Sequence, residues 1–388
     1  MIDFDRDTYM VPPQARIKVI GVGGAGGNTV NYMIETHALH DIDFVVTNTD
    51  AQALSLSYAG SKIQLGTKTT KGLGSGANPE IGKKAAEEDL AKVLDACEQA
   101  DVVFLTGGLG GGTGSGALPV IARALKERNI LTIAVVTKPF SFEGKKRSTI
   151  AEKALDLLSK EVDTLIIVPN ERLLGVADRS ISLVHAFGMV NDVVYQFVRS
   201  IATIILKPGY INVDFADVKA IMQNMGIAVM GTGKASGKDR AELAALDAIS
   251  SPLLENVSIE GARSILLNIT ANAQLGLHEV HTVASIIQSQ AHKDANIILG
   301  SVIEDNLTDD LYVTVIATGF TSQLPQEKES LKESMIAPIA HIHQSIQAAP
   351  QTMVQTASIQ PAPHDEHEDL EIPTLLRKMV REKQSHYK

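Results

Sequence analysis

Residues 101–128 read DVVFLTGGLGGGTGSGALPVIARALKER, and this stretch limits the fold more than any other. An apolar, β-branched run meets seven glycines within positions 107–116, and a helical pattern follows at once. Glycine-rich linkers do not sit between a core strand and its crossover helix. Strand, glycine loop and helix N-terminus form instead the arrangement in which successive backbone N–H groups converge on an anion. Glycine allows positive φ and a close backbone approach with no Cβ in the way. Thr113 and Ser115 add hydroxyl donors. The run reads as a phosphate cradle rather than a structural turn. No lysine follows the glycines, so the loop is not G-x-x-x-x-G-K-[ST]. Phosphate charge must then be met by amide dipoles, a bound metal ion and residues from elsewhere.

The surrounding grammar extends this unit into a domain. RIKVIGVG, DFVVTNTD, DVVFLTGG, LTIAVVTKP and TLIIVPN alternate with helix-length segments, as parallel strands covered on both faces do. The expected fold is α/β: a doubly wound, mostly parallel sheet over 14–179, a long central helix over 180–207, and a smaller α+β domain with a mixed sheet over 208–320. Ser180 is placed to cap the central helix, and Pro208–Gly209 to stop it. The second half offers a helix near 239–250 and the strand-like runs ARSILLNIT, ANIILGSVIE and LYVTVIATGF. Residues 1–13 are expected to be flexible. Residues 321–369, rich in Gln, Pro, Ser and His, are expected to be a disordered linker, with a C-terminal peptide over 370–388.

Composition excludes several classes. A net charge of -10 over 388 residues argues against nucleic acid as a partner. The one cysteine, Cys97, suits a reducing compartment, and MIDFDRDTYMVPPQ has neither a basic n-region nor an apolar h-region. Residues 181–206 are apolar but carry Asn191, Asp192, Gln196 and Arg199, so no membrane span is expected. A soluble, cytoplasmic protein is the expectation.

A second glycine loop, GVGGAGGN at 21–28, follows the first strand and fits G-x-G-x-x-G through Gly21, Gly23 and Gly26. Alone, that motif invites a Rossmann-type oxidoreductase, with Asp50 at the distance of a ribose contact. Such an enzyme leaves the later loop unexplained. Two glycine loops at strand C-terminal ends suggest one nucleotide gripped from both sides. Neither loop offers a carboxylate for positioning water. NVDFADVKAIM does: Asp214 and Asp217 lie three apart at a helix start. From spacing alone, ordinary N-capping is the better account of the pair. In the tail LEIPTLLRKMVREK, Ile372, Leu375, Leu376, Met379 and Val380 form one helical stripe, with acids before it and bases after. It reads as a docking peptide on a flexible tether; a frayed end with a chance pattern is the bland alternative.

Together these residues resemble the tubulin/FtsZ family, in particular its bacterial division-ring branch. GGGTGSG at 110–116 carries the resemblance most specifically. NTDAQAL (48–54), TKGLGSGANPE (70–80), VVTKPFSFEGKKR (135–147), NVDFADV (212–218) and EIPTLLRK (371–378) are similar to the family's pattern as well. The resemblance covers roughly 14–320 and resumes at the tail.

It implies a self-assembling GTPase with GTP as substrate and Mg²⁺ as its ion. Gly24, Ala25, Gly26, Gly27, Asn28, Gly112, Thr113 and Gly114 would line phosphates and sugar. Glu143 and Arg147 would reach the ribose and phosphate edge, and Asn170 and Asn191 would bond guanine. Asn is suited to that by offering donor and acceptor together, although Asn170 could simply end a strand and Asn191 sit as a polar residue on a buried helix. Asn212, Asp214 and Asp217 would complete the neighbouring subunit's site, giving a head-to-tail homopolymer. The tail stripe would engage membrane adaptors and division regulators at the inner face of the membrane. A non-hydrolysing relative would lack the acidic pair, which is present. The chain departs from the pattern at His185, where an acid or neutral residue is expected, and in MVREKQSHYK beyond the docking peptide. The linker shows no resemblance, and its His341 and His343 are expected to be solvated.

Overall fold

The computed structural model describes residues 15–36, 39, 41–176, 178, 180–207, 209–211, 213–251, 259–304 and 307–320. Segment 1–13, Pro208, Asn212, the linker and the tail with Ile372, Leu375, Leu376 and Met379 lie outside the described residues.

Six parallel strands build the first half: β1 (Ile17–Val22), β2 (Ile42–Asn48), β3 (Ser61–Gln64), β4 (Val102–Gly108), β5 (Leu131–Lys138) and β6 (Thr164–Pro169). Their order, β3-β2-β1-β4-β5-β6, is the doubly wound one, with its reversal between β1 and β4. The crossovers use α1 (Gly23–Glu35), α2 (Ala51–Ser55), α3 (Pro79–Ala96), α4 (Thr113–Glu127) and α5 (Lys145–Glu161), and α6 (Asn170–Val176) follows β6. One sheet face packs Leu105 and Val136 against Leu118, Ile121 and Leu158 of the helices. The other packs Phe104 and Val135 against Met33, Val194 and Phe197. Burial on both faces is why β4 and β5 are apolar almost without alternation.

The central helix, α7 (Leu183–Leu206), is about 36 Å long at 1.5 Å per residue. Its cap is Ser182, whose hydroxyl accepts from His185 N at 3.2 Å. The expected cap, Ser180, instead donates its N–H and hydroxyl to Asp178, because the helix starts two residues later. Lys207 ends it in an extended conformation (φ -101°, ψ 127°), as a residue before proline must. The helix is long and apolar enough to cross a membrane, but 56% of that apolar stretch is buried inside the fold. Its Val190, Val194, Phe197 and Ile201 share one core with strands of both halves, Leu266 and Ile316 included.

After α7 come α8 (Phe215–Met222), β7 (Gly226–Ala235), α9 (Arg240–Ile249), β8 (Ser264–Ala271), α10 (Leu277–Gln290), β9 (Asn296–Ile303) and β10 (Leu311–Thr318). β10 runs antiparallel to β7 and β8, and β9 is parallel to β8, so this half is mixed as expected. The sheet does not stop between the halves. β7 pairs in parallel with β6 at its start and antiparallel with β10 along the rest, making one sheet of ten strands. Neither β3 nor β7 was anticipated by the sequence reading.

Candidate nucleotide site

The switch point between β1 and β4 brings two helix starts together. β1 enters α1 through Gly23, at φ +75°, and β4 enters α4 through a loop containing Gly110, at φ +96°. Neither helix has a side-chain cap. α2, α3, α7 and α8 are capped by Asp50, Asn78, Ser182 and Asp214. The first-turn N–H groups of α1 and α4 are thus left without side-chain partners, at the positive ends of two dipoles. The loops touch: a Cβ on Gly23 would lie 3.2 Å from Gly114 N, and one on Gly108 would lie 2.7 Å from the Ala25 Cβ. The two predicted loops form one cradle.

The glycines divide into two kinds. A Cβ at Gly26 would meet the Thr106 carbonyl oxygen at 2.5 Å, one at Gly112 would meet Ser75 Oγ at 2.3 Å, and one at Gly114 the Gly108 carbonyl oxygen at 2.4 Å. These glycines exist so that protein backbones can pack on each other, not chiefly to admit a ligand. Gly24 and Gly111 face open space within 4 Å, and Gly24, Ala25 and Asn28 are exposed, with Gly27 half-buried. The ligand-facing wall is therefore the first turn of α1 and the Gly111 bend.

Thr113 and Ser115 do not point free hydroxyls into the cradle. Thr113 Oγ1 lies 2.7 Å from Thr49 Oγ1 and 3.1 Å from Ser75 Oγ, all buried, while Ser115 Oγ accepts from Gly110 N at 2.9 Å. Both hydroxyls brace the loop. Ser75 belongs to a third loop, 70–78, in which Lys71, Gly72, Gly74, Gly76 and Ala77 all have positive φ. Its base is anchored by Glu88 of α3, which accepts from the Thr69 hydroxyl and from the Lys68 and Thr69 amides. The Thr69 hydroxyl first, then the Lys68 amide, hold that carboxyl down at about 2.

Asn170, at the start of α6, is 4% exposed, and its Oδ1 is one of three buried side-chain polar atoms among the described residues with no partner. An unmet buried acceptor is destabilising by about 1–3 kcal/mol, so the position is poised for a donor from outside. Asn191 differs: Thr29 donates to its Oδ1 at 2.9 Å, leaving the amino group to offer. Phe187, one turn before Asn191 and 40% exposed, packs edge-on to Phe140 at 5.3 Å. The sequence reading missed it, as it missed Thr29, Thr49 and Ser75. Glu143 accepts from Phe140 N at 3.0 Å and is ion-paired with Arg147, whose carbonyl abuts Gly110. The loop bearing Glu143 and Arg147 thus packs on the second glycine loop.

Asp214 and Asp217 are elsewhere. They form a reciprocal capping box on α8: Asp217 N donates to Asp214 at 2.8 Å and Asp214 N to Asp217 at 3.4 Å. Both are exposed. The end of α8 is tied to the start of β6 by Thr164, which donates to the Met222 carbonyl, and by Asn224 N, which donates to Asp163. Asn170 follows the other end of β6, a strand about 20 Å long. Likewise ~22 Å of helix separates Asn191 from Leu206. The acids and the cradle lie at opposite ends of one chain. Asp50 caps α2 by accepting from the Gln52 and Ala53 amides through Oδ1.

An anion cradle at the switch point, flanked by amides suited to a nucleobase, makes this a nucleotide-binding protein of tubulin-like build. Residues 16–178 match the Tubulin/FtsZ family GTPase domain, and residues 226–321 match the FtsZ family C-terminal domain. An empty FtsZ dimer from M. jannaschii is similar at 40% identity and a TM-score of 0.75, over 80% of this chain and 90% of that one. A point mutant of M. jannaschii FtsZ aligns at 41% identity and 0.75, over 79% and 92%. CetZ1 from Haloferax volcanii shares the fold at 22% identity and 0.70, over 79% and 95%. The chain belongs to the tubulin/FtsZ family, whose members bind GTP and are GTPases.

Proposed function

We propose that this protein is a GTPase that assembles head to tail into filaments of a cell-division ring, each active site being finished by the next subunit. One observation carries the reading: neither glycine loop holds a carboxylate, and the exposed acidic pair sits at the far end of α7. A single chain then has two halves of a site that cannot meet within itself. Stacking one subunit's α8 end on the next subunit's cradle joins them. The FtsZ relative from M. jannaschii, described as a dimer, agrees with self-association.

In this mechanism the amides of α1 and α4 hold the phosphates, Asn170 and the Asn191 amino group take guanine, and Asp214 and Asp217, with Asn212, orient water at the neighbour's γ-phosphate. Among the described residues no three His, Cys, Asp or Glu side chains cluster for a metal. Mg²⁺ would be held chiefly by the triphosphate's oxygens and water and would neutralise phosphate charge there. Hydrolysis would weaken the junction and so limit filament lifetime. The protein would work in the cytoplasm and reach the inner membrane face through adaptors that bind Ile372, Leu375, Leu376 and Met379.

The test is GTP turnover per subunit against protein concentration, which should rise steeply above a threshold. Mixing Asp217→Ala with Gly112→Val chains should restore part of the turnover that each lacks alone. Turnover that is constant per subunit at all concentrations would refute the shared site. Deleting residues 370–388 should spare turnover and abolish adaptor-dependent vesicle recruitment.

A further inference from the structure

We infer that Glu171 is a positioning residue for nucleobase recognition, acting by latching the loop that carries Glu143 and Arg147 to the helix that begins with Asn170. The inference rests on the guanine-nucleotide reading above. Both oxygens of Glu171 are taken by one residue 30 positions away: Ser141 N donates at 2.8 Å and Ser141 Oγ at 2.9 Å. Ser141 sits at the centre of its loop. On one side Phe140 is buried and meets Phe187 edge-on, and Phe142 stacks on Phe140 at 5.0 Å. On the other, Glu143 closes the turn by accepting from Phe140 N and holds Arg147. Directly before Glu171 in the chain stands Asn170, whose buried Oδ1 has no partner.

A nucleoside bound in one glycosidic conformation sets one distance between base edge and ribose. Groups that read the two parts bind it best when their separation is set beforehand, because the ordering is then not charged against binding. The Glu171–Ser141 pair spans those two groups. It is made of charge-assisted hydrogen bonds, the stronger kind, on a surface where an acid is not otherwise required. An acid in the first turn of α6 also suits the helix dipole. That structural role alone would leave base discrimination untouched, which separates the two.

The experiment uses the full chain as wild type, Glu171→Ala, Glu171→Gln, Ser141→Ala and the Glu171→Ala/Ser141→Ala double variant. It measures Kd for GTP and for ATP, whose base edge has neither the N1–H donor nor the 6-oxo acceptor, with thermal unfolding as the check on folding. Glu171→Ala should weaken GTP about tenfold, the size of one charge-assisted bond, and ATP, whose base edge makes no matched contact there, far less. Glu171→Gln, which keeps an acceptor, should stay within about threefold of wild type, and the double variant should be no weaker than Glu171→Ala. A Glu171→Ala chain with unchanged GTP affinity, or one that weakens both nucleotides equally, would overturn the inference. A wild-type chain that shows no preference for GTP over ATP would bring down the underlying guanine reading and this inference with it.

Discussion

α4 and α8 start in opposite ways. α4 begins at Gly112 with nothing over its first-turn amides, although Ser75 and Asn78 are packed closely around it. α8 begins at Asp214 with a carboxylate on its amides and a second carboxylate returning the bond. α5, α9 and α10 also start without a side-chain cap, so what sets the open end of α4 apart is the second uncapped helix start, that of α1, packed against it through glycines. The filled cap on α8 teaches the converse. A carboxylate engaged in local structure still presents its remaining lone pairs outward when it is exposed, and it is held rigidly there. Capping and catalysis at that end are compatible, and stability and turnover must be measured separately to tell them apart.

Substitutions at the open end should have the largest effect. Gly112→Val drives a side chain into Ser75 Oγ and the Asn78 backbone and should reduce GTP affinity more than about a hundredfold by titration calorimetry, since three braced loops must part. Gly111→Ala, one residue earlier, meets no protein atom within 4 Å and should leave the unfolding midpoint unchanged, so any loss of GTP affinity there reports contact with the ligand rather than packing.

At the closed end, Asp214→Asn and Asp214→Ala divide the two roles. Asn caps as well as Asp, so only the Ala variant should lose stability, about 1 kcal/mol in urea unfolding. Both should lose about a hundredfold in phosphate release while binding GTP normally, if the carboxylate serves a neighbour's nucleotide. Full turnover in Asp214→Asn would reduce the motif to a cap.

A smaller effect returns to the open end. Asn170→Ala should weaken GTP about tenfold and leave ATP unchanged, yet it should not destabilise the nucleotide-free chain, because the lost oxygen had no partner. Smallest of all is Glu88→Gln under the third loop. The carboxyl is held at about 2 against an ordinary 4.5, so its charge favours the folded chain above about pH 4.5. That contribution is lost as pH falls through about 2. The wild-type advantage in unfolding midpoint should be full at neutral pH and shrink between 4.5 and 2.

The cradle was legible because its signal is local: glycines after an apolar run, read off without any tertiary knowledge. The capping box was equally legible, as two acids three apart. The bracing of Thr113 was not, since Thr49 and Ser75 reach it from 64 and 38 residues away. Nothing in the residue type Asn announces that the Asn170 acceptor would be stranded while the Asn191 acceptor is satisfied by Thr29. β7 escaped notice for a physical reason. GIAVMGTGKA is broken by Gly226, Gly231 and Gly233, which erase the apolar rhythm of a strand. A Cβ at Gly233 would lie 2.0 Å from the Ala244 carbonyl, so the residue that hides the strand is the one that lets α9 rest on it.

β7 also has a mechanical consequence. It is stitched to β6 by only three residue pairs, Thr164 with Gly226 through Ile166 with Ala228, and to β10 by seven. Force that pulls the halves apart would unzip the short seam first and leave the long one closed. The first strand and the last thus belong to one fabric with a built-in tear line. Amide exchange at Ile227 and Ala228 should report its opening before any other part of the sheet gives way.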